Sequence, residues 1–550
     1  MPFDVQVMWS FDAAGVAESH QRGEGAQDAE DRAAGPVRDE KGGLVAISYP
    51  GAPIAVPDAR HWLDRVFLWR QIVDQRIDAS FADHDVPEGL RVLLFNETDA
   101  GLGDAAFMHK LVAVLRAALP SVALCVVATE PDKHAVFGGH DGVLMYSFDR
   151  FGSDADDAWK TPDLVLSAPG IFNHCRSRDA VFERLGLTGD TPFQYLAEYG
   201  SIRQLRDDAF KPLIGRINAW VDGQLDLAAK AAGVGEDEVG HRASTGEIVA
   251  LVDGAMKTVG SLVDDALADE SSPLGAWLHD VSSTARSAGL ELGELGVHCA
   301  NGKAPGGVEV TDEATRAAIE EPGGVRYTGY GHGGCGVFLA MVAALEADND
   351  KRIDVVLPNR RGAQRALDEL LDDTAATVLA AEGIGRVEII GNAVDEARLG
   401  DVGTAARELD AGGKKTIRLI TRHPHPFHEF QALGRRSAPA TMITGDQSFS
   451  DALAEDRAIV VIEPMYCQTW AIDAQLALAE SIDPSYAAVL RFSMTAKWDA
   501  GAWPGVRETL RSGRAVAAAH AFNARIRADY ALEQRVVNLV KRRLVQATGE

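Results

Sequence analysis

Acidic residues and glycines are concentrated in the loop that follows the apolar run Arg91–Asn96. This loop contains Asp99, Gly101, Gly103 and Asp104, and an amphipathic segment begins directly after it. Glycine permits a tight turn with exposed backbone N–H groups. A carboxylate held rigidly at the end of a strand can deprotonate the hydroxyl or amine of an acceptor molecule. Asp104 and Asp99 are therefore candidate catalytic residues, and the alternative is that Asp104 only caps the next helix.

The turn Gly-Asp-Gln-Ser at residues 445–448 is the most specific pattern in the chain, because it lies between the apolar strand candidate Ala440–Thr444 and an amphipathic segment. The free N–H groups at a helix start and the helix dipole together favour a diphosphate. Asp446 is a candidate catalytic residue whose carboxylate could bind sugar or acceptor hydroxyls. The candidate diphosphate-binding residues are Gly445, Gln447, Ser448 and Phe449. The alternative is an N-cap with additional polar residues.

A glycine-rich loop lies between the strand candidate 325–330 and a helical segment. It contains a formal G-x-G-x-x-G pattern from Gly331 through Gly333 to Gly336. In dinucleotide-binding proteins such a loop holds a pyrophosphate at the helix N-terminus. A segment so dense in glycine also meets the pattern by chance. We therefore predict a loop that binds phosphate or allows a close backbone approach, and its candidate ligand-binding residues are Tyr330, Gly331 and Gly333.

The next strand candidate ends in the sequence Asn-Arg-Arg at residues 359–361. Arg360 could bind the 2′-phosphate of NADP, although the acid that would hold a ribose hydroxyl is absent. An NADP-dependent oxidoreductase that uses residues 331–336 and Arg360 is therefore an alternative function.

Residues 422–428, which read Arg-His-Pro-His-Pro-Phe-His, contain three histidines in six positions. The prolines prevent the regular spacing with which a strand or helix presents metal ligands together. We predict no metal site here, and we expect this segment to line a cleft at the end of a strand. Arg422 is a candidate for binding the nucleotide and for stabilising the charge of its leaving group.

The charge and the cysteines limit the partners and the location of the protein. The net charge of the 550 residues is −27, whereas nucleic-acid binders hold phosphates with clustered Lys and Arg, so we expect no nucleic-acid partner. The five cysteines lie far apart and form no Cys-x-x-Cys pair, which predicts reduced thiols and a cytoplasmic protein. No apolar run reaches the roughly 18 residues that span a bilayer, and residues 1–10 lack the basic start of a secretory signal, so we expect no membrane span.

Two series of short apolar runs alternate with amphipathic segments, which predicts parallel sheets with helices on both faces. The first series begins at Arg91, with strand candidates at 91–96, 122–128, 142–147, 163–167 and 193–198 and a helix at 105–119. The second series begins near Gly324, with strand candidates at 325–330, 353–357, 387–390, 416–421, 440–444 and 458–462 and helices at 335–346 and 364–371. The fold class is therefore α/β, with two Rossmann-like lobes that face each other across a cleft.

The remaining segments complete the predicted organisation. Residues 4–9 suggest a strand, residues 13–43 a flexible excursion and residues 58–77 a helix. Residues 203–287 have helical spacing and should form an insertion outside both sheets. We predict an acceptor-binding lobe at 1–300, a nucleotide-sugar lobe at 324–480 and C-terminal helices at 481–550 that pack back on the lobes.

The order of these motifs resembles the bacterial protein-arginine rhamnosyltransferases, a family of GT-B glycosyltransferases. In that family the C-terminal lobe opens with a strand and a Tyr-containing loop. Later it has a Pro-Phe segment, a helix, and a strand that runs into an Arg-Gly-Glu-Asp-Ser-Phe turn. The matching segments here are 325–330, 426–427, 429–433 and 444–449, and Gly103-Asp104 is similar to a Gly-Asp turn of the family's first lobe. The resemblance covers residues 91–119 and 324–480.

The resemblance implies a role for three residues. It puts Asp446 where the family has a catalytic Glu, Ser448 at a contact with the nucleotide diphosphate, and Asp104 at an acceptor-activating Asp. The chain departs from the family pattern at Thr444, which replaces an Arg, and at Gln447, which replaces an acid. A further first-lobe Asp of the family falls at Ala100, with Asp99 one place away.

We therefore predict a metal-independent glycosyltransferase that has no cofactor and uses a nucleotide-diphosphate sugar as its donor substrate. The acceptor is a protein or peptide side chain or a small molecule. The alternatives are the NADP-dependent oxidoreductase and a non-catalytic partner subunit that keeps the transferase fold. These three functions differ in whether nucleotide-sugars or NADP(H) bind, and in whether a bound donor is turned over.

Overall fold

The computed structural model describes seventeen stretches of the chain, which are residues 35–38, 44–48, 54–55, 74–98, 102–170, 178–187, 191–197, 285–287, 290, 294–299, 309–331, 334–395, 399–409, 412–423, 425–463, 469–494 and 498–548. The chain divides into two compact units. One comprises Met1–Val66 and Ala209–Gly275, and the other comprises Phe67–Asp208 and Ala276–Glu550. The predicted lobe boundaries at 300, 324 and 480 stay a prediction, as does the strand at 4–9, which lies outside the described residues.

The smaller unit contains a three-stranded antiparallel sheet of β1 (Gly35–Arg38), β2 (Leu44–Ser48) and β3 (Ile54–Ala55). The prediction of a flexible excursion at 13–43 is therefore wrong for β1. Its four residues have no apolar periodicity of their own, but they pair with the apolar strand β2, and cross-strand pairing is what stabilises such a ribbon. The other residues of the excursion lie outside the described part of the chain.

The larger unit contains two sheets, and the first is parallel throughout. Its strands are β4 (Arg91–Asn96), β5 (Ala123–Ala128), β6 (Leu144–Ser147), β7 (Leu164–Gly170), β8 (Phe193–Ala197) and β9 (Ala285–Ser287). Their order is β6-β5-β4-β7-β8-β9, so the direction in which the chain adds strands reverses between β4 and β7. This is the strand order of a Rossmann fold, and it confirms the predicted parallel lobe.

Strand β9 corrects the prediction that residues 203–287 form an insertion outside both sheets. It pairs in parallel with β8 at the edge of the first sheet. Its central residue, Arg286, is buried and lies 3.0 Å from Asp78 in an ion pair. Burying that charge requires an acidic partner, which the helical residues 74–80 supply from far away in the sequence. The part of the insertion before β9 lies outside the described residues.

Besides the helical residues 74–80, the described part of the first lobe contains these α-helices. They are α1 (Gly103–Ala118), α2 (Pro131–Ala135), α3 (Phe148–Asp154) and α4 (Arg178–Leu185). α1 buries an apolar face that includes Met108, Leu111 and Leu115, as the amphipathic pattern of its sequence predicts. Asp104 lies in its first turn, so the helix fixes the position of that carboxylate.

The second sheet has seven strands in the order β13-β12-β14-β11-β10-β15-β16. They are β10 (Gly324–Gly329), β11 (Arg352–Val356), β12 (Ile384–Asn392), β13 (Val402–Glu408), β14 (Lys415–Ile420), β15 (Ala440–Thr444) and β16 (Ala458–Glu463). All neighbours run in parallel except β12 and β13, which form an antiparallel pair at one edge. The order reverses between β10 and β15, and the sheet confirms a second Rossmann-like lobe.

Among the described residues, the helices of the second lobe are α5 (Glu313–Glu320), α6 (Cys335–Leu345), α7 (Ala363–Leu370), α8 (Asp373–Ala381), α9 (Phe427–Arg435) and α10 (Gly445–Ala454). Five more follow, which are α11 (Thr469–Ile482), α12 (Pro484–Met494), α13 (Trp503–Arg511), α14 (Arg514–Asp529) and α15 (Leu532–Thr548). Within the described residues, none of the helices is long and apolar enough to cross a membrane.

α15 returns to the first lobe and packs against α1 and β7. Its Arg542 lies 3.0 Å from Asp78, and its Arg543 donates to Gln194 on β8 at 3.1 Å. A single buried apolar cluster accordingly joins residues of α1, α10, α14 and α15. The two lobes are therefore held together by a shared hydrophobic core.

The two places where the chain passes between the lobes are hydrogen-bonded to each other. Val297 donates its N–H to Tyr530 at 2.8 Å and accepts from the N–H of Leu532 at 3.0 Å. Gly296 beside it has φ +95, and an added Cβ there would lie 2.0 Å from the Tyr530 carbonyl oxygen. Only glycine fits this position, because a side chain would be both strained and in collision with backbone.

Candidate functional site

The loops that follow β10 and β15 start side by side. The Tyr330 N–H donates to the Met442 carbonyl oxygen at 3.1 Å, and the Thr441 hydroxyl donates to the Thr328 carbonyl oxygen at 2.8 Å. β10 and β15 are the two strands between which the strand order reverses. In open α/β sheets, ligands bind beyond the carboxyl ends of the strands at such a switch point. The candidate loops after β10 and β15 therefore meet at the edge of the sheet where a ligand is expected.

The turn after β15 depends on Gly445, whose φ is +75. This left-handed conformation disfavours every residue with a Cβ. The Ser448 hydroxyl accepts from the Thr444 N–H and donates to the Gly445 carbonyl, both at 3.0 Å, and it also contacts the Thr444 carbonyl. Thr444 is the N-cap residue, and its own side chain makes no capping bond. Ser448 therefore shapes the turn from which α10 starts, and a helix start leaves its first N–H groups without an intrahelical partner.

Gly331, at the start of the loop after β10, has a close-packing role. An added Cβ would lie 2.0 Å from the Met442 side chain and 2.7 Å from the Glu463 carboxylate. Glu463 ends β16, so a carboxylate from a third strand reaches the same region. Burial, and secondarily the negative charge of Glu463, raise the pKa of the nearby Cys335 thiol to about 12. Cys335 is therefore a neutral thiol and no nucleophile at physiological pH.

Of the other residues predicted in these two loops, Tyr330 is exposed and its ring lies 6.3 Å from that of Phe430, centroid to centroid. Phe449 is buried in the shared core, 6.4 Å from the ring of Phe522. Gly333 lies outside the described residues. Of the two predicted aromatic residues, Tyr330 and Phe449, Tyr330 is therefore the one whose ring a ligand could reach.

An ion pair joins α1 and α10, the helices that start at the candidate segments around Asp104 and Gly445. Lys110 Nζ on α1 lies 2.8 Å from Asp451 Oδ1 on α10, and the two side chains are only 5% and 19% exposed. Gln447 Nε2 donates to the same oxygen at 2.9 Å, and Gln431 on α9 lies at 3.5 Å. The predicted ligand residue Gln447 is thus connected to the first lobe through a single carboxylate.

Asp104 lies in the first turn of α1, not at its N-cap, which is Leu102. Asp104 therefore does not occupy the N-cap position of α1. Its side chain is 7% exposed, and the positive end of the helix dipole favours a carboxylate there. Asp99 and the side chain of Asp446 lie outside what the structure describes, so their catalytic roles stay a prediction.

Arg422 is buried, and each nitrogen of its guanidinium group has a partner. Nη2 lies 2.9 Å from the carboxylate of Asp312, the N-cap residue of α5. Nη1 donates to the Asn392 side chain at 3.1 Å and to the Asp401 carbonyl at 3.2 Å. Arg422 therefore connects the loop after β14 to the start of α5. Its predicted contact with a nucleotide stays a prediction.

The histidines beside Arg422 face protein. Burial lowers the pKa of His423 to about 4, and burial also lowers the pKa of His425 against the opposing effect of Asp312. Both rings are therefore neutral at physiological pH. In the described part of the chain, no group of three or more His, Cys, Asp and Glu side chains could hold a metal ion.

No protein-family model matches the chain, and no curated protein matches it. Solved structures with a similar arrangement include the kitacinnamycin glycotransferase, which is 11% identical over 83% of this chain and 100% of that chain, with a TM-score of 0.39. A UGT transferase from Siraitia grosvenorii in complex with UDP is 10% identical over 83% and 100%, with a TM-score of 0.37. An E. coli heptosyltransferase with ADP is 12% identical over 68% and 86%, with a TM-score of 0.24. Likeness at these values assigns no activity to this chain.

Sequence reasoning missed Lys110, Asp451 and Glu463. Lys110 did carry a signal, because it interrupts the apolar face of α1 and a buried lysine requires an acidic partner. The sequence does not identify that partner, which lies 341 residues away. Glu463 follows an apolar strand, where an acid also occurs as an ordinary strand end, so its position near Gly331 could be found only from the structure.

Proposed function

We propose that the protein is a glycosyltransferase that moves a sugar from a nucleotide-diphosphate sugar to an acceptor. The observation that carries the proposal is the meeting of the β10 and β15 loops at the switch point of the second sheet. There the Gly445 turn leads into α10, and α10 is joined to the first lobe through Lys110 and Asp451. A donor held at that turn lies next to the lobe that would bind the acceptor.

Each proposed role rests on one chemical requirement. The first N–H groups of α10 bind the diphosphate and stabilise the charge of the leaving group, so no metal ion is needed. The exposed ring of Tyr330 supports stacking on the nucleotide base. Glu463 and Asp446 accept hydrogen bonds from sugar or ribose hydroxyls. Asp104, held in the first turn of α1, deprotonates or orients the acceptor.

Titration calorimetry tests the donor site, with UDP and ADP as first probes and NADP(H) as the competing ligand. Ser448→Ala should weaken nucleoside-diphosphate binding about tenfold, because it removes the hydrogen bonds that shape the turn. Ser481→Ala is the matched control, since that hydroxyl bonds only within its own exposed helix end. Binding of NADP(H) but of no nucleoside diphosphate would make the oxidoreductase the better assignment.

The same preparation separates an enzyme from a non-catalytic partner. With a panel of nucleotide-sugars, the wild type should release the nucleoside diphosphate in the presence of an acceptor extract. Asp104→Asn should keep nucleotide affinity and lose that release. If the wild type binds a nucleotide-sugar but never turns it over, the protein is a binding subunit and the catalytic proposal fails.

A further inference from the structure

A cavity of about 150 Å³ lies in the first lobe between α1, α2 and the sheet. Its floor is apolar and includes Val112 on α1, Val126 on β5 and Val143 before β6. Val136 and Met145 near it are exposed apolar side chains. A cavity of this volume can hold one six-membered ring, as shown by an engineered cavity of about 150 Å³ that binds benzene.

Three histidines form the polar side of the cavity, namely His109, His134 and His140. His140 Nε2 lies 2.9 Å from His109 Nδ1, so one ring donates to the other. Whichever ring donates, the two outer nitrogens, His109 Nε2 and His140 Nδ1, are left with one donor and one acceptor between them. A hydroxyl group both donates and accepts, and it therefore matches this pair.

The third histidine is fixed in place. His134 Nε2 lies 2.7 Å from the Asn96 side-chain oxygen, and the Asn96 amide donates to the Ala168 carbonyl at 2.9 Å. His134 therefore donates to Asn96 and keeps its ring as a wall of the cavity. Among the described residues, no group of three or more His, Cys, Asp and Glu side chains could hold a metal ion, and this holds for the three histidines of the cavity as well.

The charge state of the rings limits the ligand further. Burial lowers the pKa of His109 and of His134 to about 4, and burial also lowers the pKa of His140. The rings are therefore neutral at physiological pH. The rings themselves therefore offer no charge to an ionised ligand, whereas a neutral ligand needs none.

We propose that this cavity binds a neutral single-ring molecule that carries one hydroxyl group, such as a phenol. The ring fills the apolar floor and the hydroxyl bonds to the His109–His140 pair. The flexible thioethers of Met108 and Met145 adapt to the ring. The assignment goes beyond the transferase function and does not depend on it.

Fluorine NMR of 4-fluorophenol with the full chain tests the proposal. The signal of 4-fluorophenol should broaden in the presence of the protein and sharpen when phenol is added in excess. The anion 4-fluorobenzoate should not broaden, and His140→Leu should weaken 4-fluorophenol binding about tenfold. No broadening with the wild type, or equal affinity for 4-fluorobenzoate, would overturn the proposal.

Two variants locate the binding. Val112→Phe fills the cavity and should abolish broadening, whereas Ala113→Phe adds the same ring on the exposed face of α1 and should leave it unchanged. If Val112→Phe does not fold, Ala135→Phe obstructs the cavity from an exposed position. Binding that survives both Val112→Phe and Ala135→Phe in folded protein would show that the ligand lies elsewhere.

Discussion

Removing either partner of the Lys110–Asp451 ion pair should lower the free energy of unfolding, but by different amounts. Asp451→Leu strands the Lys110 ammonium, which is 5% exposed, without its carboxylate. An uncompensated buried charge costs about 3–5 kcal/mol. Lys110→Met leaves the Asp451 carboxylate partly exposed and still in contact with Gln447 at 2.9 Å. Methionine also keeps the apolar stem of the lysine, so this change should cost only about 1–2 kcal/mol.

The double variant separates the ion pair from its surroundings. With both charges gone and apolar groups of similar size in their place, the free energy of unfolding should fall by about 1–2 kcal/mol, less than for Asp451→Leu alone. The coupling between the two positions, which is the sum of the two single costs minus the cost of the double variant, should therefore be about 3–5 kcal/mol. Neighbouring side chains without an interaction would give a coupling near zero.

Urea unfolding followed by circular dichroism measures all three variants, with stability compared at a constant dependence on denaturant. Lys160→Met is the matched control, because Lys160 and Asp157 form an exposed pair at 2.7 Å and its loss should not be measurable. The reasoning is refuted if Lys110→Met costs as much as Asp451→Leu, or if the two single changes add in the double variant.

Two further predictions follow from the geometry. Gly296→Ala should destabilise the protein by more than about 3 kcal/mol in thermal unfolding, because the added Cβ would lie 2.0 Å from the Tyr530 carbonyl oxygen. Gly505→Ala is the control and should not destabilise the protein, because an added Cβ there meets nothing within 4 Å. Burial lowers the pKa of His109 and of His134 from 6.5 to about 4. Below pH 6.5 the unfolded chain therefore binds protons at these histidines that the folded chain does not bind until the pH approaches 4. Stability present above pH 6.5 should therefore be lost as the pH falls towards 4, and His109→Gln should flatten the dependence of the unfolding temperature on pH; an unchanged slope would contradict the assignment.

Buried strands could be predicted from the sequence because they are continuous apolar runs. β4 and β15 have the predicted bounds, and the other predicted strands in the described residues differ by a few residues at their ends. β13 was missed because it lies at an edge, with residues alternating between exposed and half-buried and no apolar run. β1 and β9 were missed because each becomes a strand only by pairing with a partner that local sequence does not specify.

The candidate site could be predicted in part for a similar reason. A glycine turn between a strand and a helix is a local pattern, so Gly445 and Gly331 were found. What surrounds such a turn depends on strand order, which brings Glu463 to Gly331, and on the packing of the two lobes, which brings Asp451 to Lys110. Arg422 was found as a conspicuous residue, but its partners include Gly391 in β12 and Asp312 at the start of α5, which lie 31 and 110 residues away. Side-chain contacts over such separations are not encoded in any window of sequence.

Because α15 packs against the first lobe, that lobe can complete its folding only after α15 has been synthesised. The first sheet is synthesised early, yet α15, which packs against α1 and β7, begins only at Leu532. Until that segment leaves the exit tunnel, part of the apolar surface of the nascent first lobe has no cover and is exposed to aggregation. A chain stalled before Leu532 would therefore need a chaperone for its first lobe, although most of that lobe's own strands were already made.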